Sequence, residues 1–294
     1  MHISVRDYAA VQPFFATPKA ALDEMGIDAI ELEYFRDRSV YALDAPGGAK
    51  VSLATPADID AFGRKCAQLG VKPSALLLHN NFAADDLDAE VDWVISCIKA
   101  AAQLGVRAVR IDAIMSTERD WPLDKRTQHF ADCIARVLDA NSGNEVQMGI
   151  ENHGFQGNDP EFLDMVISKV GSPKLGVTID TGNFYWRGYP LSRVHQIIEH
   201  FAPLCKHTHV KSINYPANIR ETEREIGYEY GACASGLREG DIDILRVVKA
   251  LREAGYNGDL CIENESIGGR HIADPKQVLL DDAAYLREIM QKTA

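Results

Sequence analysis

The chain has 294 residues, 46% of them apolar and 25% charged, an ordinary composition for a soluble globular protein that needs no staples to build a core. Its formal net charge of −12 argues against a duplex nucleic-acid partner, because such binding depends on basic residues that neutralise phosphates. No apolar stretch approaches the roughly 20 residues a bilayer requires. Met1-His-Ile-Ser-Val-Arg-Asp7 lacks the basic-then-apolar build of a signal peptide, so no membrane contact and a cytoplasmic location are expected.

In chain order, short β-like runs alternate with longer amphipathic ones. The pattern predicts a strand at His2–Val5 and a helix at Pro18–Met25, then Ala29–Glu33 with Pro56–Leu69, and Ala75–His79 with Leu87–Leu104. Ala108–Asp112 is followed by Lys125–Ala140, Val146–Glu151 by Pro160–Lys169, and Leu175–Asp180 by Leu191–Phe201. The last two units are Lys206–Lys211 with Ile242–Ala254 and Asp259–Glu263 with Pro275–Gln291. Thr55-Pro56, Asp159-Pro160 and Asp274-Pro275 pair a capping side chain with proline at the first helical position. Gly70, Gly105 and Gly255 stand where a left-handed residue closes a helix.

Eight strands alternating with eight helices indicate a parallel sheet, and eight is the number that closes a barrel. No glycine-rich dinucleotide fingerprint follows the first strand, which weakens a doubly wound rival. The expectation is one (β/α)8 TIM-barrel domain over residues 1–294, with a long loop between the seventh strand and helix at about 212–240. That loop carries Tyr215, Arg220, Arg224, Tyr228, Tyr230 and Arg238, and reads as a substrate lid or an oligomer contact. The six cysteines are scattered without a Cys-x-x-Cys pair and read as reduced core thiols.

Four strand ends carry the chemistry: Glu151-Asn-His153, Asp180-Thr-Gly-Asn183, His207-Thr-His209-Val-Lys211 and Glu263-Asn-Glu265. Glu151, Asp180 and His209 are spaced 29 residues apart, and Glu263 follows after 54, one unit plus the long loop. Barrel active sites form at the C-terminal ends of strands. Alternate residues of a strand share a face, so Glu151 with His153, and His207 with His209 and Lys211, point the same way, as do Glu31 with Glu33 and Arg110 with Asp112. So many inward polar groups are costly unless paired or bound to something. A lone glutamate at a strand end is more often an ion-pair partner. Four such groups in phase point to a metal, and carboxylates with one imidazole suit Mn2+, Mg2+ or Co2+ better than structural zinc.

With Glu239-Gly-Asp241-Ile-Asp243, these motifs make the chain resemble the sugar phosphate isomerase/epimerase group of the xylose-isomerase-like superfamily, which includes ketose 3-epimerases and inosose dehydratases. The likeness covers nearly the whole length and is strongest from Gly149 to Glu265. It implies that Glu151, Asp180, His209 and Glu263 ligate one divalent cation, Mn2+ foremost, with Mg2+, Co2+ or Zn2+ as alternatives. It implies an isomerase or epimerase acting on a ketose or related keto-polyol through an enediolate, with Glu151 and Glu263 moving the proton on opposite faces. His153, Asn183, His207, Lys211, Arg110 and Trp186 are the substrate-contact candidates, although Arg110 could equally pair with Asp112 or Glu33. Phe184-Tyr185-Trp186 reads as a pocket roof or as packing, and Tyr8 and Phe15 as packing.

Two departures matter. Asn183 stands where ketose 3-epimerases commonly carry histidine, and Lys211-Ser212 replaces a frequent Lys-Asp. Both leave room for a dehydratase or other lyase on a keto-sugar or inosose. An AP-endonuclease-type nuclease needs extra histidines that this chain lacks, and a non-catalytic sugar-binding protein has no need of two opposed bases. The expected partner is a small sugar, not nucleic acid, and by analogy a second copy in a dimer or tetramer.

Overall fold

The computed structural model describes residues 1–293. Eight parallel strands form a closed barrel: β1 (His2–Arg6), β2 (Ala29–Glu33), β3 (Lys72–Leu77), β4 (Ala108–Ile111), β5 (Gln147–Glu151), β6 (Leu175–Asp180), β7 (Cys205–Val210) and β8 (Asp259–Ile262). Each strand pairs with its sequence neighbours, and β8 closes on β1 through His2↔Asp259 to Val5↔Ile262. The fold is the TIM barrel that the alternation predicts.

Four predicted helices begin and end as expected, those starting at Pro160 and Pro275 end one residue later, and the other two start two residues away, at Leu123 and Ile244. Their starts are chemically defined. Thr17, Thr55, Asp86, Asp159 and Asp274 each accept a hydrogen bond from a first-turn amide, and Thr55 forms a reciprocal capping box with Asp58.

β3 starts three residues before the predicted Ala75. Pro73 hides this start, since proline removes a ladder donor and argues against a strand. The sheet tolerates it through a bulge: Ile30 pairs with Pro73 and Glu31 with Ala75, leaving Ser74 extra. A second irregularity falls on β7, where Val177 pairs with Cys205 but Thr178 with His207.

Three pieces escaped the periodicity. Ser39–Tyr41 and Lys50–Ser52 form a small antiparallel ribbon, and Asn183–Arg187 is a short helix directly after β6. The stretch 212–240 is not structureless: Ser212–Ile213 pairs with Ala234–Ser235, around short turns at Ala217–Ile219 and Tyr230–Cys233. Elements this short carry no readable period. Gly188 is indispensable to this flap, because it adopts φ +111° and its Cα abuts the Arg224 carbonyl, leaving no room for a side chain.

The apolar core lies outside the barrel, where Val5, Ile30, Leu76, Val109, Ile150, Val177, Ile179, Leu260 and Ile262 are buried beneath the helices. Inside it, Ser4, Glu31, His207, His209 and Asp259 are buried instead and bonded to one another, and buried Arg110 bonds Glu151. All six cysteines are unpaired. No described helix is long and apolar enough to cross a membrane.

Candidate metal centre

Glu151 ends β5, Asp180 ends β6, His209 lies one residue before the end of β7, and Glu263 follows β8. All four are buried, and one ligand atom of each lies within 4.8 Å of the others. The barrel thus gathers the quartet at its C-terminal mouth, where the strand ends meet.

Each member has one polar atom tied to the protein and another turned to the shared space. Asp180 Oδ1 accepts hydrogen bonds from the Gly182 and Asn183 amides, each 2.8 Å, whereas shielded Oδ2 has no hydrogen-bond partner. Lys211 Nζ stands 3.0 Å from that oxygen as an ion pair. Glu151 Oε2 accepts from Arg110 Nε at 2.6 Å, and its Oε1 faces His209 Nδ1 at 3.0 Å. Glu263 Oε1 is held by Arg6 Nη1 at 2.5 Å, leaving Oε2 3.5 Å from His209 Nδ1 and 3.2 Å from Lys211 Nζ. His209 Nε2 bonds Glu31 Oε2 at 2.8 Å. Anchoring one atom while aiming the other is how surrounding residues orient metal ligands.

The electrostatics point the same way. Burial pulls the His209 imidazole down, but Glu263, Glu31 and Glu151 reverse this and carry it up to about 10. Burial raises Asp180 well above the usual carboxylate range; Lys211 opposes this, and Glu263 and Glu151 add to it. Burial also opposes ionisation of Glu151 and Glu263, yet Arg110 and His209 lower the first, and His209, Lys211 and Arg6 lower the second. Without an ion, imidazolium and the Lys211 ammonium supply the charge that the carboxylates demand. The buried cluster can hold a metal ion, and the Asp180 oxygen, which accepts no hydrogen bond and meets only the Lys211 charge, fits that use.

A pH dependence follows. The His209 pKa is raised above that of the unfolded imidazole, near 6.5, so its stabilising charge is fully present below 6.5 and is lost as pH rises through about 10. In chelator, urea unfolding midpoints are expected to fall between about pH 7 and 10. A flat profile would show that the imidazolium is not paired as described.

Beneath the quartet lies a second polar layer. His207 was expected to touch substrate, but it is wholly buried, with Nε2 2.9 Å from Glu31 Oε1 and Nδ1 2.8 Å from Asp259 Oδ1. Ser4 Oγ in turn donates to Asp259 Oδ2 at 2.6 Å. Two residues along a strand is one layer of depth, and that places His207 out of substrate reach. Glu31, His207, His209 and Cys261 also lie close enough to hold an ion. Burial and Glu31 push the Cys261 thiol far up, however, so it stays protonated and this layer reads as support. Removing the shared carboxylate in Glu31→Ala is expected to cost about 3–5 kcal/mol, measured by chemical denaturation, because it strands two buried imidazoles.

The other predicted residues divide. Asn183 joins the quartet, its Nδ2 3.3 Å from Glu151 Oε1. Lys211 joins it as well and also reaches Glu265 at 3.1 Å. His153 sits at the mouth with 37% of its side chain exposed, 3.2 Å from Asp112; burial lowers its pKa, but Asp112 and Glu151 raise it further. Arg110 is 2% exposed and is engaged by Glu151, Asp112 at 3.2 Å and the Leu78 carbonyl at 2.8 Å, so it buttresses Glu151 and is no free donor. Phe184 and Tyr185 are fully buried and pack, while Trp186 is half-buried against Gly227.

The loop arginines are equally committed. Arg224 donates to the Ile219, Thr222 and Tyr189 carbonyls, Arg220 pairs with Asp241, and Arg238 pairs with Glu288. Arg6, Asp112 and Tyr230, which bonds Glu265, were missed as site residues. Arg6 shares its strand face with Ser4, and that alternation was the available signal. A cavity of about 710 Å³ opens at the opposite, N-terminal face near Lys72, Arg107 and Lys206 and contains none of the quartet.

A closed eight-strand barrel whose mouth converges three carboxylates and an imidazole defines a TIM barrel with a candidate divalent-metal centre. Residues 20–289 match the sequence model of the Xylose isomerase-like TIM barrel family, and the chain belongs to that family. It is 26% identical over 165 residues to protein MJ1311 of Methanocaldococcus jannaschii, covering 55% of this chain and 50% of that one. It is 23% identical over 175 residues to an inosose dehydratase of Serratia proteamaculans, covering 58% of each. The chain therefore spans about half the length of the curated relatives it matches. Among solved structures, IolI protein with a bound zinc atom superposes with TM-score 0.71 at 15% identity, covering 100% of this chain and 99% of that one. L-ribulose 3-epimerase superposes with TM-score 0.70 at 16% identity, covering 99% and 95%. At such identities the likeness is one of fold.

Proposed function

We propose that this protein is a divalent-metal-dependent isomerase or epimerase of a ketose or related keto-polyol. The observation that carries the reading is the quartet of Glu151, Asp180, His209 and Glu263, buried at the barrel mouth with one atom of each turned to a common space. A divalent ion held there, Mn2+ foremost, supplies Lewis acidity that polarises the substrate carbonyl and offsets the charge of an enediolate.

The chain's own residues supply the rest. Glu151 and Glu263 are ionised through the neutral range, so either is available to take the proton beside the carbonyl. Arg110 on β4 and Arg6 on β1 fix these carboxylates from separate strands of the ring, which suits proton removal by one and return by the other. His153, partly exposed at the mouth, is the candidate to hydrogen-bond hydroxyl or enediolate oxygens, with Asn183 beside Glu151, while Lys211 already holds Asp180, Glu263 and Glu265. The likeness to an inosose dehydratase, and the absence of a histidine at Asn183, favour a second reading: elimination of a β-hydroxyl from the same enolate.

A ketose and inosose panel in deuterated water tests both. Deuterium at the carbon beside the carbonyl with an epimeric or isomeric product is expected. A dehydrated product would replace the first reading with the second, and no exchange with any member of the panel by the metal-loaded protein would remove both.

A further inference from the structure

Three arginines from separate segments of the C-terminal face gather around Phe155, and among the described residues none has an acidic partner within ion-pair distance. Arg119, in the loop after β4, places its guanidinium carbon 4.4 Å from the ring centroid. Arg187, at the end of the short helix after β6, stands at 5.3 Å, and Arg126, in the first turns of the helix after β4, at 6.0 Å. Arg126 is buried and braced by the Trp121 carbonyl and Gln156 Oε1, both 3.1 Å away. Arg187 Nε is shielded from solvent with no hydrogen-bond partner. Acidic residues outnumber Lys and Arg by 43 to 31, and the other mouth cations, Arg6, Arg110 and Lys211, all hold carboxylates. Glu118, beside Arg119, accepts from the Gln156 amide at 3.4 Å and forms no ion pair with the three guanidinium groups. Collecting three unpaired guanidinium groups opposes the protein's own charge balance, and an anion from outside would restore it.

The position ties this cluster to the metal centre. Phe155 lies two residues after His153, at the mouth, and Arg187 lies four residues after Asn183, which touches Glu151. Residues four apart on a helix share a face one turn, about 5.4 Å, apart. Arg187 therefore shares a helix face with Asn183, and the cluster flanks the quartet at the C-terminal mouth. We propose that Arg119 and Arg187, backed by Arg126, receive an anionic terminal group of the substrate, a phosphate ester or a carboxylate. This rests on the keto-sugar reading above and narrows it to acidic substrates.

The test uses the metal-loaded protein with neutral ketoses, their terminal phosphates and the corresponding keto-sugar acids, followed by deuterium exchange. Anionic members are expected to be preferred in kcat/KM, with phosphates and acids compared to show which anion is taken. Arg119→Ala combined with Arg187→Ala is expected to cut that preference about 10- to 100-fold through KM, with partial recovery in Arg187→Lys. Arg136→Ala, on a remote helix face, is the control. Neutral ketoses preferred by the parent protein, or a preference unmoved by the double variant, would overturn the inference while leaving the keto-sugar reading intact. If no sugar reacts, calorimetric titration with inorganic phosphate decides separately: binding lost in the double variant upholds the anion site without the isomerase, and binding equal in both removes it.

Discussion

Asp180→Asn is expected to weaken divalent-ion binding by about 100-fold or more while leaving the ion-free protein nearly as stable as before. The substitution is chosen for its geometry. Asparagine keeps an oxygen where Oδ1 accepts the Gly182 and Asn183 amides, so the turn leading out of β6 survives. It replaces Oδ2, the buried oxygen without a hydrogen bond, by an amide that cannot ligate as an anion. Burial and the neighbouring glutamates raise the Asp180 carboxyl while Lys211 opposes them, so in the ion-free fold the cost of its charge and the gain from its ion pair largely offset. Elemental analysis and metal titration read the first effect, and denaturation in chelator the second. About one ion per chain retained in the variant would refute Asp180 as a ligand.

Glu263→Gln is expected to slow exchange of the proton beside the substrate carbonyl by about 10²- to 10⁴-fold, the range associated with a positioned acid or base. Glu263 is held by Arg6 at 2.5 Å and Lys211 at 3.2 Å, with both oxygens committed, so its position does not depend on substrate. Those cations, with His209, keep it ionised despite burial. Loss of the charge removes a base and weakens a ligand together. Saturating metal separates the two: with the ion restored, exchange is expected to stay low. Full recovery at saturating metal would leave Glu263 as a ligand only. Glu151→Gln offers the matched comparison, since an epimerase depends on both carboxylates and an elimination can proceed with one acting as base.

Much of this was legible in one dimension. Alternation along each strand marked Glu151, Asp180, His209 and Glu263 as ends of inward-facing runs, and capping residues with following glycines marked most helix limits. Depth was not legible. His207 and His209 share a strand face, yet one faces the mouth and the other lies sealed beneath it, because the layer each occupies depends on how neighbouring strands tilt and register. Nor was engagement legible: Arg110 and Lys211 were rightly placed near the site, but only the partners opposite them show that both are already holding carboxylates.

What the sequence determined by itself is what is local and periodic: the eight repeated units, their caps, and the side of each strand that carries polar atoms. What only the tertiary structure decided is who meets whom. Arg6 reaches Glu263 across 257 positions and His209 reaches Glu31 across 178, contacts that exist only because the first and last strands close the ring. Side-by-side pairing of β4, β5 and β6 likewise brings Arg119, Arg126 and Arg187 from the segments that follow them to one phenylalanine. Alternation and capping are fixed by backbone geometry within a few residues, whereas a buried ion pair forms only where closure makes desolvation cheaper in company than alone.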